Sequence, residues 1–130
     1  MKIGHITLLV KDFEEALNFY LEKMGFQKRQ DTKFWGDNRW VTVSPKDQPD
    51  LELTLVLADT EEKQKALGKQ AGDHVLFTLE TDDCKRDYET MKAKGIEFYG
   101  EPTKQMWGTE VVFKDLYGNL YDLVQRELQQ

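Results

Sequence analysis

The sequence predicts an α+β fold made of two β-α-β-β-β repeats, and three observations predict it. The first is self-similarity at a spacing of about seventy residues, a signal to be sought before any other. His5 opens the apolar run GHITLLV and His74 opens GDHVLFTL, while Gly25 closes a helical pattern in KMGF and Gly95 another in AKGIEF. Trp35-Gly36 is echoed by Trp107-Gly108, and Glu52 in DLELTLV by Asp122 in LYDLVQ. The second observation is apolar/polar alternation at the period of a strand. The third is one helix-spaced apolar set in each half.

Taken in order, residues 3–10 read as a strand with Ile6, Leu8 and Val10 on one face and His5, Thr7 and Leu9 on the other. Asp12 is an N-cap candidate. Phe13, Ala16, Leu17, Tyr20, Leu21 and Met24 follow at helical spacing, with Gly25 at the C′ position. Strands are expected at 26–33, 40–43 and 51–57, separated by a turn at 34–38 and a proline-containing loop at 44–50. In the last strand Leu51, Leu53, Leu55 and Leu57 share one face, and Glu52, Thr54 and Val56 the other.

Residues 59–72 are polar, acidic at the start and basic later, which suits a short surface helix. This segment joins a first repeat, 1–58, to a second, 73–126, within one domain spanning 1–130. The pattern then restarts: Val75, Phe77 and Leu79 alternate with His74, Leu76 and Thr78. Thr81, Asp82 and Asp83 offer caps for a helix carrying Cys84, Tyr88 and Met91, and strands are expected at 96–99, 110–113 and 120–125. Between the last two, residues 115–119 form a turn with Gly118 and Asn119 where positive φ is easiest.

At 130 residues the chain is one domain, since either half alone buries little surface. A formal net charge of -6 argues against nucleic acid or an anionic membrane surface as partner, because both select basic faces. The single cysteine, Cys84, fits a reducing compartment and reads as a packing residue. The first residues are too soon charged for a signal peptide, and no run approaches the ~20 apolar residues that span a bilayer. A cytoplasmic location is expected.

Each first strand carries its histidine on the face opposite the helix, and each fourth strand does the same with its carboxylate. If the two modules pack side by side, the sheets form an open, curved, mixed sheet with helices outside, and His5, Glu52, His74 and Asp122 converge on a concave cleft. Two histidines with one or two carboxylates suit a divalent ion such as Zn, Ni, Mn, Fe or Co. Such an ion polarises a bound oxygen or activates water. Trp35, Trp40 and Trp107 are candidates to line an apolar cleft, and Thr7, Arg39 and Glu110 to touch a polar substrate.

The segments GHITLLVKDFEEALNFYLEKMGF, HVLFTLETDDCKRDYETMKAKGIEF and FKDLYGNLYDLVQ resemble the vicinal oxygen chelate superfamily. That superfamily includes glyoxalase I, extradiol dioxygenases, fosfomycin-inactivating transferases and bleomycin-binding proteins. The last segment resembles its Asp-x-x-Gly-Asn-x-x-carboxylate-Leu ending. The resemblance implies paired βαβββ modules, often in a homodimer, with metal ligands at His5, His74 and Asp122 and, in some relatives, at Glu52. Asp122 is one methylene shorter than the Glu usual there. The resemblance implies a metal-dependent lyase, dioxygenase or transferase acting on a small substrate that chelates through neighbouring oxygens, with Glu52 as fourth ligand or general base. Its alternative is a metal-free protein of the bleomycin-resistance kind that holds a drug-like or aromatic ligand.

Overall fold

The computed structural model describes residues 1–34, 36 and 38–127. The chain divides into two compact units, Met1–Leu67 and Gly68–Gln130, and each contains one four-stranded mixed sheet. The expected α+β architecture with two βαβββ units is present.

In the first unit, strand β1 (His5–Val10) leads into α1 (Phe13–Leu17). Asp12 caps this helix, its carboxylate accepting from the Glu15 N–H at 2.9 Å. The helix continues as a π-helical segment, Asn18–Lys23, in which the Met24 N–H reaches back to the Phe19 carbonyl at 3.1 Å. The expectation was one uninterrupted α-helix. The stretch from Asp12 to Gly25 is one residue longer than its counterpart from Asp83 to Gly95, and the wider turn takes up the surplus.

Strands β2 (Gln27–Lys33), β3 (Arg39–Ser44) and β4 (Glu52–Leu57) complete the sheet in the order β1-β4-β3-β2, with β1 parallel to β4. Leu8, Val10, Val41, Val43, Leu53 and Leu55 are buried with Ala16, Leu17, Phe19 and Tyr20 as the apolar core of this unit. A short α2 (Glu61–Ala66), capped by Thr60, lies in the segment read as a surface helix and belongs to the first unit.

The second unit holds β5 (Val75–Glu80), α3 (Cys84–Ala93), β6 (Thr103–Gln105), β7 (Gly108–Lys114) and β8 (Leu120–Arg126). Its sheet order is β5-β8-β7-β6, again with one parallel pair, β5 with β8. Asp83 caps α3, accepting from the Arg86 N–H at 3.0 Å. Gly95 follows with φ 95°, as Gly25 follows the first helix with φ 78°, a backbone region that favours glycine.

Rings meet in register across this sheet: Phe77 stacks on its partner Tyr121, Tyr121 pairs with a tilted Phe113, and Phe98 bridges to Phe113. Cys84 is fully buried and donates to the Leu123 carbonyl, in keeping with its reading as a packing residue. The strand expected at 96–99 is reduced to the single Phe98 bridge, and the paired edge strand is Thr103–Gln105 instead. Its polar sequence, TKQ, carries no alternation to mark it. No helix among the described residues is long and apolar enough to cross a membrane.

Candidate functional site

Parallel pairing of β1 with β4 sets His5 directly opposite Glu52 and Thr7 opposite Thr54, and the antiparallel pairing with β3 sets Thr42 opposite Thr54. Gln30 on β2 pairs with Thr42. Because side chains alternate along each strand, these residues share the face opposite the leucine and valine core. The result is a polar field on the first sheet centred on Glu52.

One Glu52 oxygen accepts hydrogen bonds from the Thr42 hydroxyl and, at 3.0 Å, from the Gln30 amide. The Trp40 indole N–H donates to the Gln30 amide oxygen at 3.2 Å, so the chain Trp40–Gln30–Glu52 is continuous. The other Glu52 oxygen lies 3.6 Å from His5 Nε2, and the His5 ring meets Trp40 edge-on with centroids 5.4 Å apart. The donors from Thr42 and Gln30 hold the Glu52 carboxyl below the usual range, with His5 and Arg29 adding smaller favourable charges. Glu52 is therefore an oriented, ionised carboxylate. Thr54 is 8% exposed, and its hydroxyl finds no hydrogen-bond partner among the described residues.

Arg39, a candidate for substrate contact, has its guanidinium engaged. Nε and Nη2 donate to the two Asp31 oxygens at 2.8 and 2.7 Å, Nη1 donates to Glu14 at 2.7 Å, and the Phe13 ring centroid lies 5.3 Å away. This fork ties β2, β3 and α1 together and draws the Asp31 pKa down to about 2. Trp35 lies outside the described residues, whereas Trp107 is 47% exposed in the turn between β6 and β7.

In the second unit Asp122 pairs with Thr78 on one side and Val112 on the other. Burial pushes its pKa up to about 6, and the hydrogen bond that its protonated carboxyl donates to Glu110, with the like charge there, adds to the rise. One Asp122 oxygen is buried without a hydrogen-bond partner among the described residues. His74 is exposed and immediately precedes β5, where it lines a cavity of about 300 Å³ together with Leu76, Tyr99, Tyr117 and Leu120.

The structure thus brings His5 and Glu52 together but does not place Asp122 as the register counterpart of Glu52. Both Thr7 and Thr78 stand five residues before their helix caps, and they pair with Thr54 and Asp122 respectively. Val75, not His74, pairs on the row that His5 occupies, because Leu76 is an extra residue between two ladder positions. Sequence similarity gave no sign of this bulge.

A divalent ion bound at ~2.0–2.2 Å from nitrogen and oxygen ligands sets neighbouring donors ~3–4 Å apart. The 3.6 Å between His5 and Glu52 has that bite. No group of three or more His, Cys, Asp or Glu side chains capable of holding an ion occurs among the described residues. The first unit therefore supplies a two-donor pair. Gln30, Thr42 and Thr54 were not singled out from the sequence. Thr42 shares its alternation with Trp40 and so had a signal, whereas Gln30 had none.

Residues 2–123 match the model of the Glyoxalase/Bleomycin resistance protein/Dioxygenase superfamily. The chain is 45% identical over 124 residues to an uncharacterized protein of Shewanella frigidimarina, covering 95% of this chain and 92% of that one. Among solved structures it resembles UcmS2 at 33% identity and a TM-score of 0.83, covering 95% and 97% of the two chains. It also resembles TnmS3, an antibiotic binding protein from Streptomyces sp. CB03234, at 28% identity and a TM-score of 0.78, covering 98% and 97%.

Proposed function

The chain belongs to the Glyoxalase/Bleomycin resistance protein/Dioxygenase superfamily, and from that premise we propose that it binds a small organic molecule on the polar face of the first sheet. The observation that carries the reading is Glu52, an ionised carboxylate oriented by Thr42 and Gln30, with one oxygen turned toward His5 beside Trp40. A fixed anion next to an aromatic wall recognises a donor-bearing, partly aromatic ligand. Thr7, on the next row of the same face, is a further contact. The likeness to TnmS3 supports this reading. Trp35 remains proposed as an aromatic contact and Trp107 as one in the second unit, while Arg39 holds β2, β3 and α1 together.

Titration with bleomycin and a panel of aromatic amines, followed by tryptophan fluorescence, tests it. A saturable change that Trp40→Phe abolishes and Glu52→Gln weakens about tenfold is expected, since a charge-assisted hydrogen bond lost on binding is worth ~1.5–3 kcal/mol. No saturable response from any probe overturns it.

A second reading is favoured by the His5–Glu52 spacing. There His5, His74, Asp122 and Glu52 are the ligand candidates for a divalent metal (Zn, Ni, Mn, Fe or Co), which would supply Lewis acidity toward a substrate that chelates through neighbouring oxygens. Elemental analysis of protein purified without chelator or nickel resin separates the two. Near one metal per chain, lost in the His5→Ala/His74→Ala variant, supports the metal enzyme; no metal after incubation with each of the five ions removes it. A single domain, a homodimer and a cytoplasmic location belong to both readings, and sedimentation checks the dimer.

A further inference from the structure

The cavity beside His74 is separate in chemistry from the Glu52 field. Its lining comes from the second unit alone: residues 68, 69, 71 and 72, His74, Leu76, Tyr99 and the turn at 117–120. It contains no carboxylate. In a chain with a formal net charge of -6, the ionisable groups here are Lys69 and His74, with the phenols of Tyr99 and Tyr117.

Two features make the walls firm. Gly68, with φ 73°, sits so close to Tyr117 that an added Cβ would lie 1.9 Å from the Tyr117 carbonyl oxygen, so the two loops interlock at backbone level. The Tyr117 turn is itself fixed by Asp115, whose carboxylate accepts from the Tyr117 N–H at 2.9 Å, the Asn119 N–H at 2.9 Å and the Asn119 amide at 2.8 Å. The floor has a different origin. The bulge that inserts Leu76 into β5 puts that side chain into the cavity lining, with Leu120 and Ala71 beside it.

From this arrangement we propose that the cavity is a binding site for a small aromatic anion, a ring bearing one carboxylate or phosphate group. The ring lies on Leu76 and Leu120 with the tyrosines at its sides, and the anionic head meets His74 and Lys69. Size is sufficient: a cavity of ~150 Å³ accommodates a benzene ring, so about 300 Å³ takes one ring and its head. The site does not depend on the ligand of the first sheet.

The test is an NMR titration of the full chain with phenyl phosphate and benzoate, with excess EDTA present so that no metal mediates the contact. Saturable shifts of the His74 ring and of the Ala71, Leu76 and Leu120 methyl groups are expected, at about millimolar affinity or tighter. His74→Gln and Lys69→Gln should each weaken binding about fivefold or more while leaving the spectrum otherwise folded, and Lys104→Gln should change nothing. Equal binding of neutral benzyl alcohol, unaltered affinity in both variants, or linear shifts without saturation would each overturn the proposal. Bleomycin or amine binding at Trp40 reads out separately, so either site can fail without the other.

Discussion

The two sheets have the same strand order, yet they treat the carboxylates on their polar faces in opposite ways. On the first, Glu52 lies one row from the threonine row Thr7–Thr54–Thr42, and its partners are donors, so it stays ionised. On the second, Asp122 stands on the row equivalent to Thr54, beside Val112 and facing Glu110, and it holds its proton to about pH 6. The same topology thus yields one carboxyl held below its usual range and one raised to about 6. Environment, not residue type, sets the charge.

The largest effect that can break this contrast is at Glu52. Replacing it by Leu, the residue at the equivalent register position of the second sheet, strands the fully buried Thr42 hydroxyl and leaves the exposed Gln30 amide to water. Unfolding in urea should show a loss of about 2–3 kcal/mol, the scale of an unsatisfied buried partner. An unchanged midpoint would mean the donors find other acceptors.

Asp122→Asn should act in the other direction. A carboxyl whose folded pKa is raised from 3.8 to about 6 contributes stability at pH below the unfolded value, and that contribution is lost as pH rises toward 6. The wild type should therefore lose stability between about pH 4 and 6 from this group. The variant should lack that slope and be more stable at pH 8 by about 1 kcal/mol, a figure reduced for partial solvation. Melting temperatures measured from pH 4 to 8 decide it; parallel curves for the two proteins would refute it.

The smallest effect is expected at Thr54. Its hydroxyl is buried without a partner, so Thr54→Val should raise stability by about 0.5–1 kcal/mol while leaving the Glu52 network intact. A loss of stability would instead place a hydrogen bond at that oxygen. Thr54→Ser, which keeps the hydroxyl, serves as the control.

Much of this was legible in the chain itself. Asp12 and Asp83 announced their helices, Gly25 and Gly95 closed them, and the leucines of β4 marked its buried face, because capping, positive φ and alternation are local properties. That His5 and Glu52 share a face also followed from alternation. The pairing register was not legible, since it depends on which residues of distant strands meet. One unpaired residue at Leu76 was enough to move His74 off the row of His5 and to put Asp122 level with Thr54. Nor could composition reveal the Glu110–Asp122 pair, whose raised pKa arises from burial that only the folded sheet creates.

The π-helical segment at Asn18–Lys23 bears on how such a chain can change over time. A residue gained in a loop lengthens the connection, and one gained in a strand turns every later side chain to the opposite face. Here the surplus residue is lodged inside a helix. Phe19 and Tyr20 within the segment remain buried, and the glycine after it still delivers the chain to β2. The helix works as an expansion joint: the first repeat can gain or shed a residue there while His5 and Glu52 keep their places on the sheet.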